Sequence, residues 1–280
     1  MTGRALLLLP LLLLPLLFLA SCASASFPVS PRTGAIPAAD IRQVASQGAA
    51  ALAPGIRKGK HNIFEFYSAK GKSLIADKAL APLDFSGIAM DNPRTATLIS
   101  PQHVAMAAHF TRGPGSRLIF HDRSGNRQEA FIIAVEKVKL SPGGSSTDIA
   151  IGRLDRSLPL TTYRVLPPRS DYRELLNGAK VLVTEQGRHV YIHTIRGVNP
   201  AHVSLGPSTD LLGVNGKIRS GDSGNPSFLL INGELVLLET HTTGGFGAGP
   251  FYSAPEVFAG INAAMRKLGG GYQLSTVNVR

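Results

Sequence analysis

Apolar and polar positions alternate in three different ways along the chain. Residues 6–19 form a leucine-rich apolar run, interrupted by Pro10 and Pro15. From residue 38 to 52, Ile41, Val44, Ala45 and Leu52 recur at helical spacing, which predicts a weak amphipathic helix. Past residue 60 the apolar runs shorten to four to six residues and Gly, Pro, Asn and Asp separate them. Segments 96–99, 117–120, 130–135 and 150–154 read as strands in the first half, and 180–184, 190–194, 228–231 and 235–238 in the second. Many short strands at this spacing predict an all-β fold, either antiparallel barrels or a sandwich. One helical stripe returns at 255–268 through Val257, Phe258, Ile261, Ala264, Met265 and Leu268, and Gly269-Gly270-Gly271 stops it. No repeat of 20 to 50 residues is visible.

The leucine run changes the picture at the N-terminus. Arg4 precedes it, small residues end it, and it is too short and too proline-broken for a spanning helix, which needs about 20 apolar residues. Residues 1–21 are therefore expected to be a signal peptide. The ending Leu19-Ala20-Ser21-Cys22 resembles a bacterial lipobox, which implies lipidation of Cys22, an acyl (palmitate-type) anchor and an exported protein held at the cell envelope. With no Asp after Cys22 the outer membrane is favoured. The expected division is a tether over 22–60 carrying the short helix, an N-terminal barrel over 61–160, a C-terminal barrel plus helix over 161–268, and a tail over 269–280.

Composition adds two constraints. Cys22 is the only cysteine, so no internal disulfide can form and stability must come from core burial. The formal net charge of +11 suggests an anionic neighbourhood such as a phospholipid surface. The basic residues are scattered and no recognition motif accompanies them, so nucleic acid is not an expected partner.

Three distant segments carry candidate chemistry. In 97–109 a strand, a turn and a second short strand deliver His109 from the small-residue bend Ala107-Ala108. In Thr147-Asp148-Ile149-Ala150 a carboxylate directly precedes a half-buried strand. In Ser220-Gly221-Asp222-Ser223-Gly224-Asn225-Pro226 a glycine-flanked turn presents a serine just before an apolar strand. Taken singly, His109 fits a core histidine and Asp148 a strand-edge carboxylate. Together, a nucleophile, a base and a carboxylate are the parts of one acyl-transfer device.

These segments resemble the Ala-Ala-His, Asp-Ile-Ala and Gly-Asp-Ser-Gly motifs of the chymotrypsin/trypsin-like serine proteases, in the same order. The resemblance covers about residues 80–265. It implies two perpendicular six-stranded antiparallel β-barrels with a C-terminal helix, a triad of His109, Asp148 and Ser223, and an oxyanion hole from the Gly221 and Ser223 amides. It also implies a serine endopeptidase acting on polypeptide substrates without a cofactor. A catalytically silent, protease-like lipoprotein that binds a partner is the alternative, and a purely structural envelope lipoprotein a third. Phe110 and Asn225 depart from the family pattern, Asn225 standing where a second glycine is usual. Asp222, which in trypsin-like members pairs with a newly cut N-terminal amine, is expected to find an internal partner such as a backbone amide or Arg219.

The strand after the nucleophile, with His241, is similar to that of bacterial glutamyl endopeptidases. Lys217, Thr240 and His241 are thus candidate substrate-binding residues for an acidic side chain, against the alternative that Lys217 faces solvent and His241 packs in the barrel. Other patterns fail. The Lys70-Gly71-Lys72-Ser73 stretch lacks the first glycine of a phosphate-binding loop, His189 and His193 have no third ligand for zinc, and 244–249 has no dinucleotide fingerprint. No metal or cofactor is expected.

Overall fold

A computed structural model describes residues 35–57, 59–75, 80–140 and 146–280. The signal segment and Cys22 lie outside the described residues. A short 3-10 turn, Ala38–Asp40, leads into α1 (Ile41–Arg57). A small ribbon of β1 (Phe64–Phe66) and β2 (Leu74–Ile75) follows.

The first large sheet contains β3 (Ile88–Ala89), β4 (Ala96–Ser100), β5 (His103–Ala107), β6 (Arg117–His121), β7 (Arg127–Lys139) and β8 (Ser146–Leu154). Its order is β3-β4-β5-β8-β7-β6, antiparallel at every pairing. The second comprises β9 (Lys180–Thr184), β10 (Val190–Val198), β11 (His202–Pro207), β12 (Pro226–Ile231), β13 (Glu234–Thr240) and β14 (Ala248–Pro250), ordered β13-β12-β9-β10-β11-β14 and again antiparallel. In sequence the short helix α2 (Tyr172–Leu176) separates the two sets of strands, and α3 (Pro255–Leu268) comes last. Two six-stranded, barrel-like sheets with a C-terminal helix are the all-β architecture that the three motifs imply.

Strand positions follow from the side chains. β9 and β12 are buried at every residue and are rich in Val, Leu, Ile and Phe, as strands covered on both faces must be. Strands β1 to β3, β11 and β14 were not anticipated. Of these, β1, β2, β3 and β14 are only two or three residues long, and a period of two cannot be read from so few positions.

The helices pack where their stripes require. α1 runs five residues past its expected end and buries Ile41, Ala45, Ala49, Leu52, Ala53 and Ile56, a stripe at i, i+4 spacing, against β9 and β12. α3 starts at Pro255, where the missing N–H costs nothing, and ends at Gly269, whose φ of 82° only glycine adopts easily. It lies against β7 and β8 of the first sheet, although it follows the second in sequence.

The segment after α3 is also built in. Val165 pairs with Thr276 and Ile36 with Val279, both parallel, while Leu274 and Val277 are buried. The two ends of the described chain therefore hold each other.

Candidate active site

His109 sits in the one-turn 3-10 segment Ala108–Phe110 that ends β5. Asp148 lies near the start of β8, the strand paired with β5, in the left-handed region at φ 61°. A short polar side chain tolerates that conformation better than most, at about 1 kcal/mol or more. The carboxylate meets His109 twice: Oδ1 accepts its backbone N–H at 2.9 Å and Oδ2 lies 2.7 Å from ring Nδ1. Two contacts from one carboxylate set both the position and the tilt of the imidazole.

Ser223 stands on the turn before β12, between Gly221 (φ 98°) and Gly224 (φ 89°). Its Oγ lies 2.9 Å from His109 Nε2. At Gly224 a side chain would press within 3.3 Å of both the Ala107 nitrogen and the Thr95 oxygen, so a bare backbone lets the serine turn approach the first sheet. The His109 side chain is 47% exposed and that of Asp148 34%, which leaves the ring edge open to a substrate.

Among the described residues, the Asp222 carboxylate, only 1% exposed, is held by main-chain donors. Its Oδ1 accepts the Gln186 N–H at 3.0 Å and its Oδ2 the Arg219 N–H at 2.6 Å. This is the internal partnership expected of it, through the Arg219 amide rather than the guanidinium. Buried carboxylates need such donors. Among the described residues, the Gly221 and Ser223 amides donate to no protein acceptor.

The other three candidates do not share an open surface. Lys217 is exposed, whereas Thr240 and His241 are fully buried. Thr240 Oγ1 lies 3.1 Å from Tyr252 Oη, and His241 Nε2 donates to the Thr184 carbonyl at 3.2 Å. His241 Nδ1 lies 2.8 Å from Glu239 Oε1, an ion-pair distance off the direction a hydrogen bond needs. Burial lowers the His241 pKa, but the adjoining Glu239 carboxylate, the Thr184 carbonyl and the Asp222 charge together outweigh that, and the net direction is up. The acidic-pocket arrangement therefore gains no exposed cation from His241.

Nearby, His193 is pushed down to about 4, chiefly by burial, with Phe246 O 2.7 Å from its Nδ1. Ile218, 4% exposed, exchanges two hydrogen bonds with Gly245, at 2.8 and 3.0 Å. Sequence reasoning missed the role of Glu239. Its signal was available: Glu239 and His241 are two apart, so they share a face. Among the described residues no group of three or more His, Cys, Asp or Glu is placed to hold a metal ion.

No protein-family model matches the chain, and no curated protein does. Among solved structures it is similar to human heparin binding protein, at 19% identity over 65% of this chain and 95% of that one, with a TM-score of 0.44. It is also similar to the Vibrio cholerae VesB protease, at 16% identity over 57% of this chain and 55% of that one, with a TM-score of 0.41. Likenesses this loose carry no functional assignment.

Proposed function

We propose that the chain is a serine endopeptidase of the chymotrypsin-like kind, working at the bacterial cell envelope. The observation that supports it best is the continuous line from Asp148 Oδ2 through both His109 nitrogens to Ser223 Oγ, with steps of 2.7 and 2.9 Å. A serine hydroxyl is a poor nucleophile until a neighbouring base takes its proton, and this line supplies one.

In the proposed reaction His109 Nε2 takes the Ser223 proton as Oγ bonds to the scissile carbonyl carbon. The carbonyl π electrons move to oxygen, and the anion accepts hydrogen bonds from the Gly221 and Ser223 amides. Collapse expels the amine, which takes the proton from His109, and leaves an acyl-enzyme. Water then repeats the sequence in place of serine. Asp148 keeps the imidazole in the tautomer with its proton on Nδ1 and stabilises the imidazolium.

Labelling with a fluorophosphonate, in which Ser223 Oγ displaces fluoride from phosphorus, tests this reading. The adduct should map to Ser223, and Ser223→Ala or His109→Ala should lower turnover of a peptide library roughly a million-fold. Lack of labelling would favour the silent binding module instead. Envelope attachment through Cys22 is part of the same proposal. Cys22→Ser should release the protein from the membrane fraction. A substituted protein that still sediments with membranes after a high-salt wash would require another anchor.

A further inference from the structure

Asn225, where the family pattern has glycine, is fully buried beside the nucleophile. Its Nδ2 donates to the Asp222 carbonyl at 3.0 Å, and its own backbone N–H donates to the same oxygen at 3.0 Å. That carbonyl and the Ser223 N–H belong to one peptide plane, so whatever grips the oxygen also aims the hydrogen. Two donors on the oxygen also polarise the plane and strengthen the N–H as a donor. The other end of the carboxamide is set from the opposite half of the molecule. Thr95, buried just before β4, donates its Oγ1 hydrogen to Asn225 Oδ1 at 3.0 Å. With Oδ1 committed to that hydroxyl, Nδ2 can only face the carbonyl.

We propose that Asn225 is a positioning residue for the anion-binding N–H of Ser223, and that Thr95 sets its orientation. The inference rests on the reading of Ser223 as nucleophile. A glycine at this position would keep the backbone bond to Asp222 O but lose the side-chain bond and the tie to Thr95. The half that carries His109 therefore helps to orient the donor on the half that carries Ser223.

The test uses the full mature chain and the rate constant for fluorophosphonate labelling, measured across pH, with thermal unfolding alongside. Asn225→Gly and Asn225→Asp should each lower the plateau rate about tenfold, the scale of one lost hydrogen bond near the reacting oxygen. In Asn225→Gly the pH midpoint should stay in place, because no charge is added or removed near His109 and Asp148. Thr95→Val should act in the same direction and more weakly, and Thr95→Val combined with Asn225→Gly should label no more slowly than Asn225→Gly alone.

An unchanged plateau in both Asn225 variants overturns the inference while leaving the nucleophile in place. In Asn225→Gly, a fall in rate that comes with a moved midpoint overturns it too, since that marks general loosening of the site. Should the buried Asn225→Asp fail to fold, Asn225→Gly and Thr95→Val decide. A wild-type protein that does not label removes the nucleophile reading and this inference together.

Discussion

Of the carboxylate–imidazole pairs among the described residues, Asp148 with His109 at 2.7 Å and Glu239 with His241 at 2.8 Å share a spacing, and their surroundings could hardly differ more; a third, Glu185 with His189, also stands at 2.7 Å. The first stands a third to a half exposed and continues to a hydroxyl. The second is completely buried between β13 and its neighbours, and its far nitrogen ends on a main-chain carbonyl, Thr184 O. A proton can leave the first ring for a reacting group. In the second it has only a carbonyl to face, and the ring's pKa is raised beside the Glu239 carboxylate. Desolvating two charges costs several kcal/mol each, and their mutual attraction roughly offsets it only while both are present.

The widest separation between the pairs is expected from Asp148→Asn. The variant keeps the shape but loses the charge that holds the ring tautomer, and should slow labelling and turnover about ten thousand-fold with little change in unfolding. A fall of less than tenfold would mean that the exposed pair, like the buried one, is structural.

Glu239→Ala should do the reverse. It leaves the buried His241 ring without its carboxylate partner and should destabilise the protein by about 3 to 5 kcal/mol in urea unfolding. Below its unfolding midpoint, the variant should still label at Ser223 within a few-fold of wild type. Strong loss of labelling in folded protein would show that the two pairs are coupled. The buried Tyr252 hydroxyl, 3.1 Å from Thr240 Oγ1, feels the charge of both carboxylates. Burial above all, then the Glu239 and Asp148 carboxylates, raise the Tyr252 pKa, while its bond to Thr240 lowers it.

A smaller effect should appear with acid. His193 titrates at about 4 in the folded protein against 6.5 for the free side chain, so between those values the unfolded chain binds a proton that the folded one refuses. Stability should therefore fall as pH drops from 6.5 towards 4, by about 3 kcal/mol from this residue. His241 has the opposite sign. Its raised pKa contributes stability that is complete below 6.5 and lost as pH rises through the folded value. Urea unfolding of wild type and His193→Gln at pH 7 and 4.5 checks this: the acid loss should shrink in the variant. An equal loss in both would assign acid sensitivity to other groups, such as His103 and His121, whose pKa values burial also lowers.

What the sequence alone determined is local in character. Short apolar runs set off by Gly, Pro, Asn and Asp marked most of the strands, a period of 3.6 marked α1 and α3, and glycines on either side of Asp222-Ser223 marked the serine turn. Three short motifs also pointed to His109, Asp148 and Ser223 before any distance was known, because each local frame, a strand end or a tight turn, is encoded within a dozen residues.

Tertiary structure alone decided the partners. Asp222 could have been met by a guanidinium, but packing places the amides of Gln186 and Arg219 there. Lys217 and His241 are 24 positions apart and share a motif-level resemblance, yet one lies in solvent and the other in the core, next to the Glu239 carboxylate. Thr95 and Asn225 are 130 residues apart, and no periodicity links them. Gly249 is silent in sequence too; it leaves β14 without a side chain where one would overlap Glu239 and the Thr240 carbonyl. Such contacts depend on how two sheets and the loops between them close-pack, where a methyl group too many or a donor too few is felt at once. That information is spread over the whole chain, and only the folded molecule brings it to one place.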